Sequence, residues 1–242
     1  YAGISDSASK DDFRGFADQV TPLKWNRFEA NEIAEILDGQ AVIGVEASER
    51  NFKNIARESG IMHLAMHSFS DQKNPSYSQM IFQQNRDSLE DGVLHAFEIS
   101  DMNISSELVV LSACETGYGV VEKGEGVMSL ARAFTVAGAT SVVMSHWQVD
   151  DKITKDLMTH FYRYLDDGLS KDHALRKAKL NIIEENDQAI SHPYYWAAFV
   201  FIGVNTPISF KTNQSDLCWR VLGFIALLLI AFTIWKGKYF RN

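Results

Sequence analysis

Cysteine is scarce in this chain of 242 residues, which holds only Cys114 and Cys218. Cys114 ends one apolar run and Cys218 sits at the start of another. A disulfide between them is not expected, and a disulfide-stapled fold is excluded. The usage fits a reducing compartment. With one cysteine outside the C-terminal apolar run, and with His95, His146, His160 and His173 lacking ligand spacing, no metal site is expected. Basic charge is scarce too: 23 Lys and Arg face 31 Asp and Glu, for a net −8. Residues 217–242 carry Arg220, Lys236, Lys238 and Arg241 with no acid, so residues 1–216 hold a net −12. Such a domain repels phosphate backbones and shows no basic stripe, so nucleic acid is not an expected partner. No internal repeat is present. The chain opens on Tyr1 rather than Met, as expected of a fragment or a processed chain.

What is present is apolar material in the right proportion for a core, with 46% hydrophobic and 12% aromatic residues. One run has no charge from Val221 to Trp235. Counted from Leu217, with Arg220 snorkelling, it would reach roughly 28 Å as a helix, enough for a hydrocarbon core. Trp219 and Trp235 stand where interfacial aromatics belong. A single transmembrane helix is therefore expected at 217–235, after a polar linker (205–216) and before a basic tail (236–242). The flanking Lys and Arg do not fix its orientation. The cysteine usage leans towards a cytoplasmic catalytic domain.

Residues 1–22 read as irregular. From 23 to 204 helical and strand patterns alternate, the signature of an α/β fold whose mostly parallel sheet is covered on both faces. Phe28, Ile33, Ile36 and Leu37 recur at helical spacing, with Gly39 as terminator. Strands are expected at 41–45, 61–66, 108–113, 141–145 and 196–202, and a short one at 93–99 within the looser stretch 68–106. Helices are expected at 49–58, from 127 to Gly138, at 152–166 and at 171–185, with Gly168 and Ser170 separating the last two.

His67 and Cys114 each lie just beyond an apolar strand. In an open parallel sheet the carboxyl ends of neighbouring strands face one crevice, where these side chains can meet. A thiol with a free pKa of about 8.5 is a poor nucleophile at neutral pH. An imidazole beside it takes the proton and later protonates the leaving amine. Gly117 and Gly119 would let backbone N–H groups approach a developing oxyanion. The competing reading is a buried free cysteine and a packed histidine, the commoner situation, and spacing alone does not separate the two.

The flanking residues add to this. Ser112-Ala113-Cys114-Glu115-Thr116-Gly117 resembles the nucleophile motif of CHAT domains, caspase-like cysteine peptidases often joined to tetratricopeptide repeats and sharing a clan with caspases and separases. His63-Leu64-Ala65-Met66-His67-Ser68 resembles their histidine motif, whose second histidine is catalytic. Gly124-Glu125-Gly126-Val127 with Leu130-Ala131-Arg132-Ala133-Phe134, then Trp147-Gln148-Val149-Asp150-Asp151, then His192-Pro193-Tyr194-Tyr195-Trp196-Ala197-Ala198-Phe199 follow in the family's order. The resemblance covers residues 23–204.

It implies a caspase-like αβα sandwich and a cysteine endopeptidase using His67 and Cys114 without a cofactor. The backbone at Ser68 and Gly117 would polarise the scissile carbonyl of a protein or peptide substrate. Asp151, with Asp150 as understudy, would select a basic residue before the scissile bond, as an acid does in separases. Helix capping is the other reading of these two acids. The resemblance also implies activation by a partner, such as upstream tetratricopeptide repeats. Two departures are visible. Ser68 stands where the family has glycine, and the family's first strand is not evident. A weak or inactive caspase-like scaffold at a membrane, and an acyl-transfer enzyme with the same dyad, are the alternatives.

Overall fold

The computed structural model describes residues 23–71, 74–83, 90–112, 125–147 and 149–210, with residues 125–129 described for their backbone alone. The chain divides into two units, Tyr1–Ile208 and Ser209–Asn242, and every element below belongs to the first. The expected irregular segment 1–22, the membrane span 217–235 and the basic tail lie outside the described residues. Among the described residues no helix is long and apolar enough to cross a membrane.

In chain order the elements are α1 (Asn26–Ile36), α2 (Glu49–Ile55), β1 (Ile61–Leu64), β2 (Ser68–Phe69), β3 (Gln79–Ile81), β4 (Val93–His95), α3 (Ala96–Asp101), β5 (Leu108–Leu111), α4 (Glu125–Ala137), β6 (Ser141–Ser145), α5 (Asp151–Asp166), α6 (Lys171–Glu185), α7 (Pro193–Trp196) and β7 (Phe199–Gly203). The main sheet runs β1-β5-β6-β7. Its first three strands are parallel and β7 is antiparallel to β6. β5 and β6 are buried at every residue, which is why they read as unbroken apolar runs. Met62, Leu64, Val109, Leu111, Val142 and Met144 form one face, packed against Phe52 of α2, Ile99 of α3 and Phe134 of α4. The alternate residues point the other way. There His63 meets Glu29 of α1 and Tyr162 of α5. The result is a helix–sheet–helix sandwich with a mostly parallel sheet.

Five expectations need correction. The run 41–45 is not a strand: Ile43 makes an isolated bridge, and Gly44, at φ 61°, opens a 3-10 turn over Gly44–Glu46. A left-handed glycine inside five residues leaves too short an extended run to pair. The looser stretch contains a three-stranded antiparallel sheet, ordered β2-β3-β4. The expected strand 93–99 changes into α3 at His95, whose backbone N–H donates to Glu98 Oε2 at 3.0 Å and so closes the helix N-terminus. The last strand begins at Phe199, because Pro193 starts a short helix before it.

The fifth correction concerns α1. Its buried residues are Asn26, Glu29, Ala30 and Ile33, whereas Phe28 is 62% exposed. The helix turns two polar side chains inward because each finds a partner at the sheet, as described below. On its outer side Glu32 accepts from Lys155 at 2.8 Å and Arg163 at 3.1 Å of α5, which pins the two helices together.

Candidate active site at the carboxyl ends of β1 and β5

The β1–β5 ladder pairs Leu64 with Leu111 and extends one step further, Ser112 N–H donating to Leu64 O at 3.0 Å. The two strands therefore stop side by side. Beyond β1 the chain passes Ala65 and Met66, both fully buried, and reaches His67. The carbonyl of His67 accepts from Ile81 N–H at 2.9 Å, and Ser68 pairs with Met80 in the small sheet. His67 is thus held where the two sheets meet. Its side chain is 4% exposed, and Ser68 is equally buried.

Under this junction lies a polar network inside the core. Glu29 Oε1 accepts from His63 Nε2–H at 3.0 Å and from the Ser112 hydroxyl. The Tyr162 hydroxyl lies 3.1 Å from His63 Nδ1. Burial pushes the His63 pKa down and the Tyr162 pKa well up. A neutral imidazole then has one consistent role at each nitrogen, donating to Glu29 and accepting from Tyr162. His63 is a satisfied core histidine. One turn earlier, Asn26 Nδ2–H donates to Ala65 O at 3.3 Å.

The two acids separate into different positions. Asp150 is the N-cap of α5, its Oδ1 accepting from the N–H groups of Lys152 at 3.0 Å and Ile153 at 3.1 Å. Asp151 is partly buried and turns towards α1, accepting from Lys24 N–H at 3.3 Å. Burial raises its pKa and the neighbouring Asp150 adds to this, while the Lys24 N–H and the charge of His67 pull it back. The Trp147 indole donates to Tyr194 O at 2.8 Å, which joins the tryptophan motif to α7, just before β7. His160 is not open to solvent as a lone group: it lies 3.1 Å from Glu185.

Cys114, Gly117 and Gly119 lie outside the described residues. Among the described residues no cluster of His, Cys, Asp and Glu could hold a metal ion. An open groove of about 580 Å³ lies along α1 and α5, lined by Trp25, Phe28, Glu32, Ile36, Lys155 and Arg163 among others, and neither His67 nor Asp151 lines it. Sequence reasoning missed Glu29 and Tyr162. The available signal was the placement of Glu29 in helical register with Asn26, Ala30 and Ile33, on the stripe that meets the sheet.

These strands and helices define a mixed α/β domain with a mostly parallel sheet. The CHAT domain family model matches residues 4–204, and the chain belongs to that family, which is related to the caspase-like cysteine peptidases. The match begins well before residue 23. Tetratricopeptide repeat protein 28 of Homo sapiens is 28% identical over 78% of this chain and 9% of its own length. Tetratricopeptide repeat protein 28 of Mus musculus is 35% identical over 48% of this chain and 5% of its own. The chain thus spans less than a tenth of the length of these relatives.

Proposed function

We propose that this domain is a cysteine endopeptidase that cuts a protein after a basic residue, with Cys114 as nucleophile and His67 as its base. The observation that carries this reading is the junction itself. His67 follows β1 by three residues, and β1 ends against Ser112. Cys114 follows Ser112 by two residues in the sequence. His67 takes the thiol proton and the thiolate attacks the scissile carbonyl, forming a C–S bond. The backbone N–H groups of Ser68 and Gly117 stabilise the oxyanion. The imidazolium protonates the departing amine as the C–N bond breaks. Water, deprotonated by His67, then releases the new carboxylate and the free thiol.

Asp151 is the acid that would meet a guanidinium or ammonium, since Asp150 caps α5. The buried His67 suits a domain opened by an activator, and the repeats named in the relatives suit a repeat domain as that activator. A helix at 217–235 would hold the domain at a membrane and raise its effective concentration towards membrane-bound substrates. A second reading, a membrane scaffold without turnover, is favoured by Ser68, buried at the position where the motif has glycine. Cleavage assays on peptides with Arg or Lys before the scissile bond separate the two. The peptidase reading expects cutting that is lost in Cys114→Ala and His67→Ala. Equal cutting by the wild type and both variants, or no cutting under any activating condition, overturns it.

A further inference from the structure

We propose that Glu29 is a positioning residue of the dyad: through one carboxyl oxygen it ties Ser112, on the nucleophile strand, to His63, on the histidine strand. This rests on the peptidase reading above. Glu29 is 3% exposed, and a carboxyl at that depth is costly unless its partners offset the lost hydration. Both partners lie just upstream of the proposed chemistry, Ser112 two residues before Cys114 and His63 four before His67. α1 is also joined to α5 from its outer side, through Glu32. Removal of Glu29 would take from both strands an acceptor they share. We read that shared tie as what aligns the two strand ends.

The same end of α1 reaches two more parts of the site. Asn26 holds Ala65 O, between β1 and His67, and the Lys24 N–H holds the carboxylate of Asp151. Lys24, Asn26 and Glu29 therefore touch the histidine loop, the nucleophile strand and the proposed specificity acid. Of these ties, Glu29 alone bridges both strands. A small shift of Ser112 relative to His63 changes the sulfur-to-imidazole distance, and misplacement of about 1 Å costs on the order of a hundredfold in rate. Substrate contacts are not involved, so kcat should fall while KM stays.

The test uses the whole 242-residue chain in detergent, a fluorogenic peptide ending in Arg, and urea unfolding to record folding of each variant. Glu29→Met keeps the length and removes the acceptor. It is expected to lower kcat roughly ten- to a hundredfold with KM within about threefold of wild type. Glu29→Gln keeps an oxygen that accepts from both donors, and is expected to recover kcat to within about threefold. Ser112→Ala removes one tie, and serves if Glu29→Met does not fold; its kcat should also fall. Glu35→Met, on the exposed face of the same helix, should leave both constants unchanged. A folded Glu29→Met, or else Ser112→Ala, with wild-type kcat overturns the proposal. So does a loss in Glu29→Gln equal to that in Glu29→Met. A wild-type chain that cuts nothing overturns the peptidase reading and this one with it, whereas an active wild type with unaffected variants overturns this one alone.

Discussion

Replacing Tyr162 by Phe removes a single oxygen from a side chain with no exposed surface. The ring keeps its edge-on contact with His63, whose centroid is 5.4 Å away, so packing is nearly conserved. What is lost is the donor to His63 Nδ1 at 3.1 Å. His63 is buried, so the loss exceeds that of an exposed hydrogen bond. Losing a buried hydrogen bond of this kind costs about 2 kcal/mol. For a domain of this size that lowers Tm by roughly 4–8 °C. Calorimetry at pH 7.5 measures the shift, and histidine NMR reads the tautomer, expected to carry its proton on Nε2. Burial depresses the folded pKa of His63 below the unfolded value of about 6.5. A depressed group contributes stability above the unfolded value and loses it as pH falls towards the folded one. Wild type should therefore weaken as pH drops below about 6.5, a slope that His63→Phe removes. A Tyr162→Phe variant as stable as wild type, or a doubly protonated His63 at pH 7, would refute this reasoning.

Asp151→Asn should cut kcat/KM for basic peptides by about a hundredfold and leave neutral ones unchanged, read from a peptide panel. Asp150→Ala should instead cost about 1 kcal/mol of stability in urea unfolding, with specificity intact. Gly138→Ala should destabilise by about 3 kcal/mol, because Gly138 has φ 118° and a β-carbon there would sit 2.1 Å from Ile104 O. Burial lifts Glu49 to about 7 despite the 2.6 Å contact with Lys53. A raised carboxyl contributes stability below its unfolded pKa and loses it as pH rises through the folded value. Unfolding free energies measured from pH 5 to 8 should fall more steeply in wild type than in Glu49→Gln.

The legible parts of the fold were those with punctuation. α6 and β6 occupy 171–185 and 141–145, as read, and α5 starts one residue early. Gly168, at φ 83°, supplies the stop, and Ser170 stands at the N-cap position of α6, where its hydroxyl donates to Asp172. The small sheet was hidden because strands of two or three residues carry no measurable alternation. On α1 the apolar stripe misled, since Phe28 is exposed while Asn26 and Glu29 are buried. A lone glutamate in a helix reads as solvated, and only partners far along the chain, Ser112 and His63, make its burial tolerable. For the candidate site, the different positions of Asp150 and Asp151 were not legible in the sequence, because they depend on the direction of two adjacent side chains at a helix start.

The most direct test of the dyad is covalent capture by a peptidyl-arginine acyloxymethyl ketone, followed by peptide mapping of the whole chain. One adduct on Cys114, lost in His67→Ala, is the expected result. An adduct on Cys218 instead, or on Cys114 at the same rate without His67, would contradict it.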